Sequence, residues 1–250
     1  MPHGIAQSEG DRMSTPGPVA VPNSSPIIPL VLRGCDVARM AAQALARSFA
    51  DGTANFWDEI RMHEEELDSL DRRINEDVTA TLDSGCGSQA RLLLACLKFI
   101  IELERIGDLL LNVANRLQTV AARMDAVDRS DFTRMAQVLC QMLSDAQEAF
   151  AGRSVPRALA VLKADAELDR IRNLLFMRHI EHPKKETHRD SFHLVSMGQA
   201  LERAGDHAKN LAEEVCHLVS GRSVRHILRE CDRSAEQVYL EKMRQSAADG

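Results

Sequence analysis

Aromatic residues are scarce in this chain: one tryptophan, one tyrosine and seven phenylalanines make up 4% of its 250 residues. Runs of β-branched residues are few as well, which works against sheets, whereas the long Ala, Leu, Arg, Glu and Asp stretches favour helices. No apolar run approaches the ~20 residues that cross a bilayer; stretches such as Leu92 to Leu97 fall far short. The opening MPHGIAQSEGDRM has no apolar segment of the kind a secretory leader carries, so the expected compartment is the cytoplasm. Cys35, Cys86, Cys96, Cys140, Cys216 and Cys231 form no C-x-x-C pair. In a chain too large to need disulfide staples they are expected to be reduced and structural. Basic charge is not in excess either. A formal net charge of -6 and the lack of a basic stripe with interleaved aromatics argue against nucleic-acid binding. There is no G-x-x-x-x-G-K loop and no elbow for a nucleophilic serine, leaving nucleotide hydrolysis and acyl transfer without a candidate site.

What is present is helical periodicity, and 44% hydrophobic residues are enough to fill a core. Pro16, Pro18, Pro22, Pro26 and Pro29 among Gly, Ser and Thr predict a disordered extension over 1–33. A first bundle over 34–127 is expected from three helices. They run from Cys35 to Phe49, from a Thr53 cap to Leu82, and from Ser88 to Met124, with a break at Ser84-Gly85-Cys86-Gly87. A second bundle over 128–222 repeats the plan with helices at Asp131 to Phe150, Pro156 to Ile180 and Asp190 to Val219. A short helix from Ser223 to Met243 and a fraying tail complete 223–250. The fold class is all-α, as two tandem three-helix bundles in up-down-up order.

The duplication is legible in the residues. LERIGDLLLNVA from Leu103 aligns without a gap on LERAGDHAKNLA from Leu201, placing Glu104 and Glu202, Asp108 and Asp206, and Asn112 and Asn210 each 98 apart. Glu104 and Asp108 lie one turn apart on one helix face, where like charges repel. The second helix of each bundle carries a matching pair, Glu64 with Asp68 and Asp165 with Asp169, offset by 101. A lone acidic pair at this spacing is ordinarily a solvated face. Two pairs per bundle, in both copies, point instead to a shared cation. An all-oxygen site suits iron, Mg²⁺ or Mn²⁺, with Ca²⁺ if the cage is wide and zinc less favoured. His63 and His207 adjoin these pairs as either a nitrogen donor or ordinary boundary histidines. Gly107 and Gly205 sit inside helices next to a site aspartate, where each makes room for a site or for close helix packing.

The paired L-E-R-x-G-D-x-x-x-N-x-A segments resemble the doubled signature of the PhoU phosphate-uptake regulators, and HLVSGRSVRHI from His217 is similar to that family's C-terminal ending. The resemblance covers about Asp36 to Ile227. It implies a twofold repeat of three-helix bundles whose E(D)-x-x-x-D motifs bind multinuclear metal clusters; Glu64 with Asp68, Glu104 with Asp108, Asp165 with Asp169, and Glu202 with Asp206 match them. It further implies a non-enzymatic cytoplasmic protein, commonly a homodimer, that acts with the ATPase of a phosphate transporter and a phosphate-sensing histidine kinase. Such proteins damp uptake and keep the phosphate-starvation regulon off. Some relatives serve sodium/phosphate cotransporters instead. The sequence departs from the pattern in its Pro-rich extension, its short first helix, and Leu109, Leu110 and Leu111 where the second copy has His207, Ala208 and Lys209. Two other classes compete: a ferritin-like di-metal carboxylate enzyme and a metal-free helical adaptor. The first needs Glu-x-x-His on two helices, and only Glu214 and His217 have that spacing.

Overall fold

Helical spacing of apolar residues resolves into six long helices in a computed structural model that describes residues 25–85, 87–181 and 188–220. They are α1 (Ile27–Asp51), α2 (Trp57–Asp83), α3 (Ala90–Val120), α4 (Ala126–Gly152), α5 (Val155–Phe176) and α6 (His188–Ser220). Single 3-10 turns at Gly87–Gln89 and Ala121–Arg123 flank α3, and a π-helical turn at Met177–Glu181 extends α5. Among the described residues there is no strand, and no helix is long and apolar enough to cross a membrane. Most of the expected extension, residues 1–24, and the expected C-terminal helix from Ser223 to Met243 lie outside the described residues.

Three helix starts differ from the sequence expectation, each for a local reason. Helix α1 begins at Ile27 rather than Cys35, so the first helix is not short and residues 27–33 do not belong to the extension. Pro26 takes the cap position and Pro29 falls in the first turn, where the missing N–H has no intrahelical partner to lose. Burial of Ile27 and Val31 secures that turn. Thr53 does not cap α2, which starts at Trp57 without a side-chain cap. Helix α4 starts at Ala126 rather than Asp131 because the Asp125 carboxylate accepts the Asp128 N–H at 2.8 Å. The end of α1 is marked by Gly52 at φ 65°, with Gly52 N–H returning to Phe49 O and Thr53 N–H to Ser48 O.

Helices α1, α2 and α3 pack on one another, as do α4, α5 and α6. The two sets are joined along α1 with α4 and along α3 with α6. One continuous apolar core results. Phe49 of α1 stacks on Phe132 of α4 with centroids 5.0 Å apart, and Phe99 of α3 meets Phe150 of α4 at 4.3 Å. Cys35, Cys96, Cys140 and Cys216 are free thiols within this packing. Burial pushes their pKa values up to about 12, 11, 11 and 12, which makes them poor nucleophiles.

Candidate functional site

The paired carboxylates are brought together by a glycine-into-leucine contact made once in each copy. A Cβ at Gly107 would lie 2.6 Å from Leu67 Cδ1 and 3.8 Å from Glu64 Cα, so any larger residue there would have to push the Leu67 side chain aside where α2 and α3 meet. At Gly205 a Cβ would lie 2.3 Å from Leu168 Cδ1 and 3.6 Å from Asp165 Oδ1. These contacts set the acidic pairs of neighbouring helices beside each other.

In the first copy Glu64 and Asp68 of α2 stand beside Glu104 and Asp108 of α3. Burial, then the charges of Asp68 and Asp108, hold the Glu64 carboxyl above its ordinary value. Burial, then Asp108, Asp68 and Asp71, do the same to Glu104, and burial with Asp68 raises Asp108. Asp71 therefore joins the patch, one turn beyond Asp68. Among the described residues no side-chain hydrogen bond or ion pair reaches the carboxylates of Glu64, Asp68, Glu104 or Asp108. The nearest arginines are engaged elsewhere: Arg61 pairs with Glu65, and Arg105 lies 4.0 Å from Glu102. Like charges with no cation between them repel, and among the described residues no group of three or more His, Cys, Asp or Glu is gathered tightly enough to hold a metal ion. The donor set is nonetheless the oxygen-rich kind that hard cations take.

In the second copy Asp165 and Asp169 of α5 stand beside Glu202 and Asp206 of α6, and the environment is different. Lys209 Nζ donates to Asp165 Oδ2 at 2.7 Å and to Asp206 Oδ1 at 3.0 Å. Arg172 lies 3.5 Å from Asp169 Oδ1 and 3.6 Å from Glu202 Oε1. Burial opposes the charge on Lys209, yet its hydrogen bonds to Asp165 and Asp206 and their charges hold its pKa above that of an ordinary lysine. Asp165 is raised by burial despite Lys209, with Asp169 and Asp206 adding to the effect. Glu202 is raised by burial and Asp206, against the pull of Arg172. Every member of this patch has a basic partner.

The PhoU domain model matches residues 31–117 and 132–215, once on each copy of the repeat. The chain belongs to the PhoU family. It is 29% identical over 181 residues to a phosphate-specific transport system accessory protein PhoU homolog of Xylella fastidiosa strain 9a5c, covering 71% of this chain and 77% of that protein. The homolog of Pseudomonas aeruginosa is 28% identical over 182 residues, covering 71% of this chain and 75% of its own length. In fold, the chain resembles the crystal structure of PhoU from Pseudomonas aeruginosa, with a TM-score of 0.71 at 24% identity over 78% of this chain and 96% of that one. The phosphate transport system regulatory protein PhoU from Streptococcus pneumoniae gives a TM-score of 0.72 at 18% identity, over 79% of this chain and 95% of that one.

Within this PhoU fold neither histidine next to an acidic pair serves the carboxylates. His207 Nδ1 lies 2.6 Å from Glu102 Oε2, which also accepts from Asn210 Nδ2 at 2.9 Å. These bonds tie α6 to α3, and they hold Glu102 below the ordinary glutamate value against the effect of burial. His63 is buried on α2, with Nε2 lacking a hydrogen-bond partner. Glu214 receives Lys98 Nζ at 2.8 Å and is not part of a helix-paired Glu-x-x-His set. Sequence reasoning missed Asp71 and Arg172 as patch members, although the same 101-residue offset relates them, and it left Lys209 without a role.

Proposed function

We propose that this chain is a cytoplasmic, non-enzymatic accessory protein of phosphate uptake, a homodimeric adaptor that engages a phosphate transporter's ATPase and a phosphate-sensing histidine kinase. In this role it damps uptake and holds the phosphate-starvation regulon off when phosphate is plentiful. The observation that carries the reading is the PhoU domain match on both copies, beside curated relatives named as phosphate-specific transport system accessory proteins. Six helices with continuous burial supply what an adaptor needs, a rigid body with long helical faces. Deleting the gene should raise phosphatase expression in phosphate-rich medium; unchanged expression removes the regulatory role. Co-purification of a transporter ATPase rather than a sodium/phosphate cotransporter identifies the partner.

We further propose the eight carboxylates, Glu64, Asp68, Glu104, Asp108, Asp165, Asp169, Glu202 and Asp206, as the place to look for iron, Mg²⁺ or Mn²⁺ on oxygen ligands. Uncompensated charge at the first patch favours that assignment. A metal-free adaptor is the second reading, and Lys209 and Arg172 favour it for the second patch. Elemental analysis of the purified protein separates the two.

A further inference from the structure

Aligning the repeat on itself places Leu111 opposite Lys209 at the 98-residue offset of α3 and α6, and Asp71 opposite Arg172 at the 101-residue offset of α2 and α5. The two exchanges act on the same patch. Among the described residues Glu64, Asp68, Asp71, Glu104 and Asp108 form no ion pair, with Arg61 and Arg105 acting on Glu64 and Glu104 only from a distance, whereas Asp165 and Asp206 pair with Lys209, and Asp169 and Glu202 with Arg172. From these placements we infer that the copies have diverged in chemistry. The second patch is closed by the chain's own two cations and takes no metal, which leaves the first as the only one of the two that depends on an external cation. This rests on the metal reading proposed for the first patch.

The geometry accounts for the closure. Lys209 Nζ sits within hydrogen-bond reach of Asp165 on α5 and Asp206 on α6, so one ammonium bridges the two helices as a metal would. Arg172 bridges the same helices through Asp169 and Glu202 at 3.5 and 3.6 Å. A divalent ion entering there would meet two positive charges already seated among its ligands. It would also have to displace Lys209 from Asp165, which is only 8% exposed, and so exchange one counter-ion for another at a patch where two of the four carboxylate charges are already offset. At the first patch the position of Lys209 is held by Leu111, which offers no donor, and that of Arg172 by a fifth carboxylate, Asp71.

The test is manganese binding to the full chain after removal of metal by chelation, read by the electron paramagnetic resonance signal of free Mn²⁺ and by elemental analysis. Glu104→Gln with Asp108→Asn should abolish uptake, and Glu202→Gln with Asp206→Asn should leave it unchanged. Lys209→Leu with Arg172→Asp, which gives the second copy the residues of the first, should raise uptake by about twofold. Should the Glu202→Gln, Asp206→Asn chain lose manganese, the inference is overturned while the metal reading survives. A wild-type chain that takes up none removes the metal reading and the inference together. Circular dichroism of each variant establishes that it is folded. If the double exchange unfolds, Lys209→Leu alone takes its place, and added Mn²⁺ should raise its melting temperature by more than it raises that of the wild-type chain; an equal rise overturns the inference.

Discussion

At the scale of single residues, the most deeply buried ionic group among the described residues lies outside the repeated motif. Asp128 is 2% exposed and accepts from Arg178 Nη1 at 2.5 Å, with His179 Nε2 3.0 Å away. Burial alone would raise its pKa, but the hydrogen bonds and charges of His179 and Arg178 hold it below the ordinary value of 3.8. A depressed carboxylate stabilises the fold above its unfolded pKa and loses that contribution as pH falls through the folded one. Asp128→Asn should therefore cost about 3 kcal/mol near neutral pH, because it leaves the buried His179 facing an uncharged partner and Arg178 with Asp131 in place of two carboxylates. Urea denaturation at a series of pH values should show the gap between variant and wild type closing below pH 3.8. The cluster was not legible beforehand: Asp128 and His179 are 51 residues apart and share no motif.

At the scale of elements, the helix contacts that position the patches depend on glycine rather than on the carboxylates themselves. Gly205→Ala removes a helix-propensity penalty of about 1 kcal/mol but forces a methyl group onto Leu168, an overpacking cost of about 1–3 kcal/mol. A net drop in melting temperature is expected. Gly152→Ala is the control, because a Cβ there meets nothing closer than Ser154 Cβ at 4.0 Å, and it should be neutral or stabilising. Both patch glycines were visible in the sequence as costly residues inside helices. Whether they served a site or close packing was not visible. The structure places each against a leucine of the neighbouring helix and beside a carboxylate-bearing residue, so packing and site are one device.

At the scale of the whole molecule, the duplication does not divide the core. Phe49 with Phe132 and Phe99 with Phe150 pack across the repeat, and the apolar cluster runs through all six helices. Neither set of three helices can lose its partner without exposing those rings. Calorimetry should therefore record one unfolding transition, with a van't Hoff enthalpy equal to the calorimetric one. Phe99→Ala should shift that single transition downwards, by about 3–5 kcal/mol in stability, rather than split it. Two resolved transitions would mean that the copies unfold independently.

The sequence by itself determined the helical class, the doubling of the unit and the positions of the acidic pairs, because periodicity and offset are properties of a linear string. It misplaced the starts of α1 and α4, where single residues decide the boundary, Pro26 by its place at the cap and Asp125 by a side-chain hydrogen bond to the Asp128 N–H. Only the tertiary structure decided which carboxylates keep their charge uncompensated. Lys209 and Arg172 pair with all four of Asp165, Asp169, Glu202 and Asp206, and offset part of their charge, because the Gly205–Leu168 contact brings α5 and α6 close enough for one side chain to reach both helices. That reach depends on the distance between helices, which spacing along the chain does not encode.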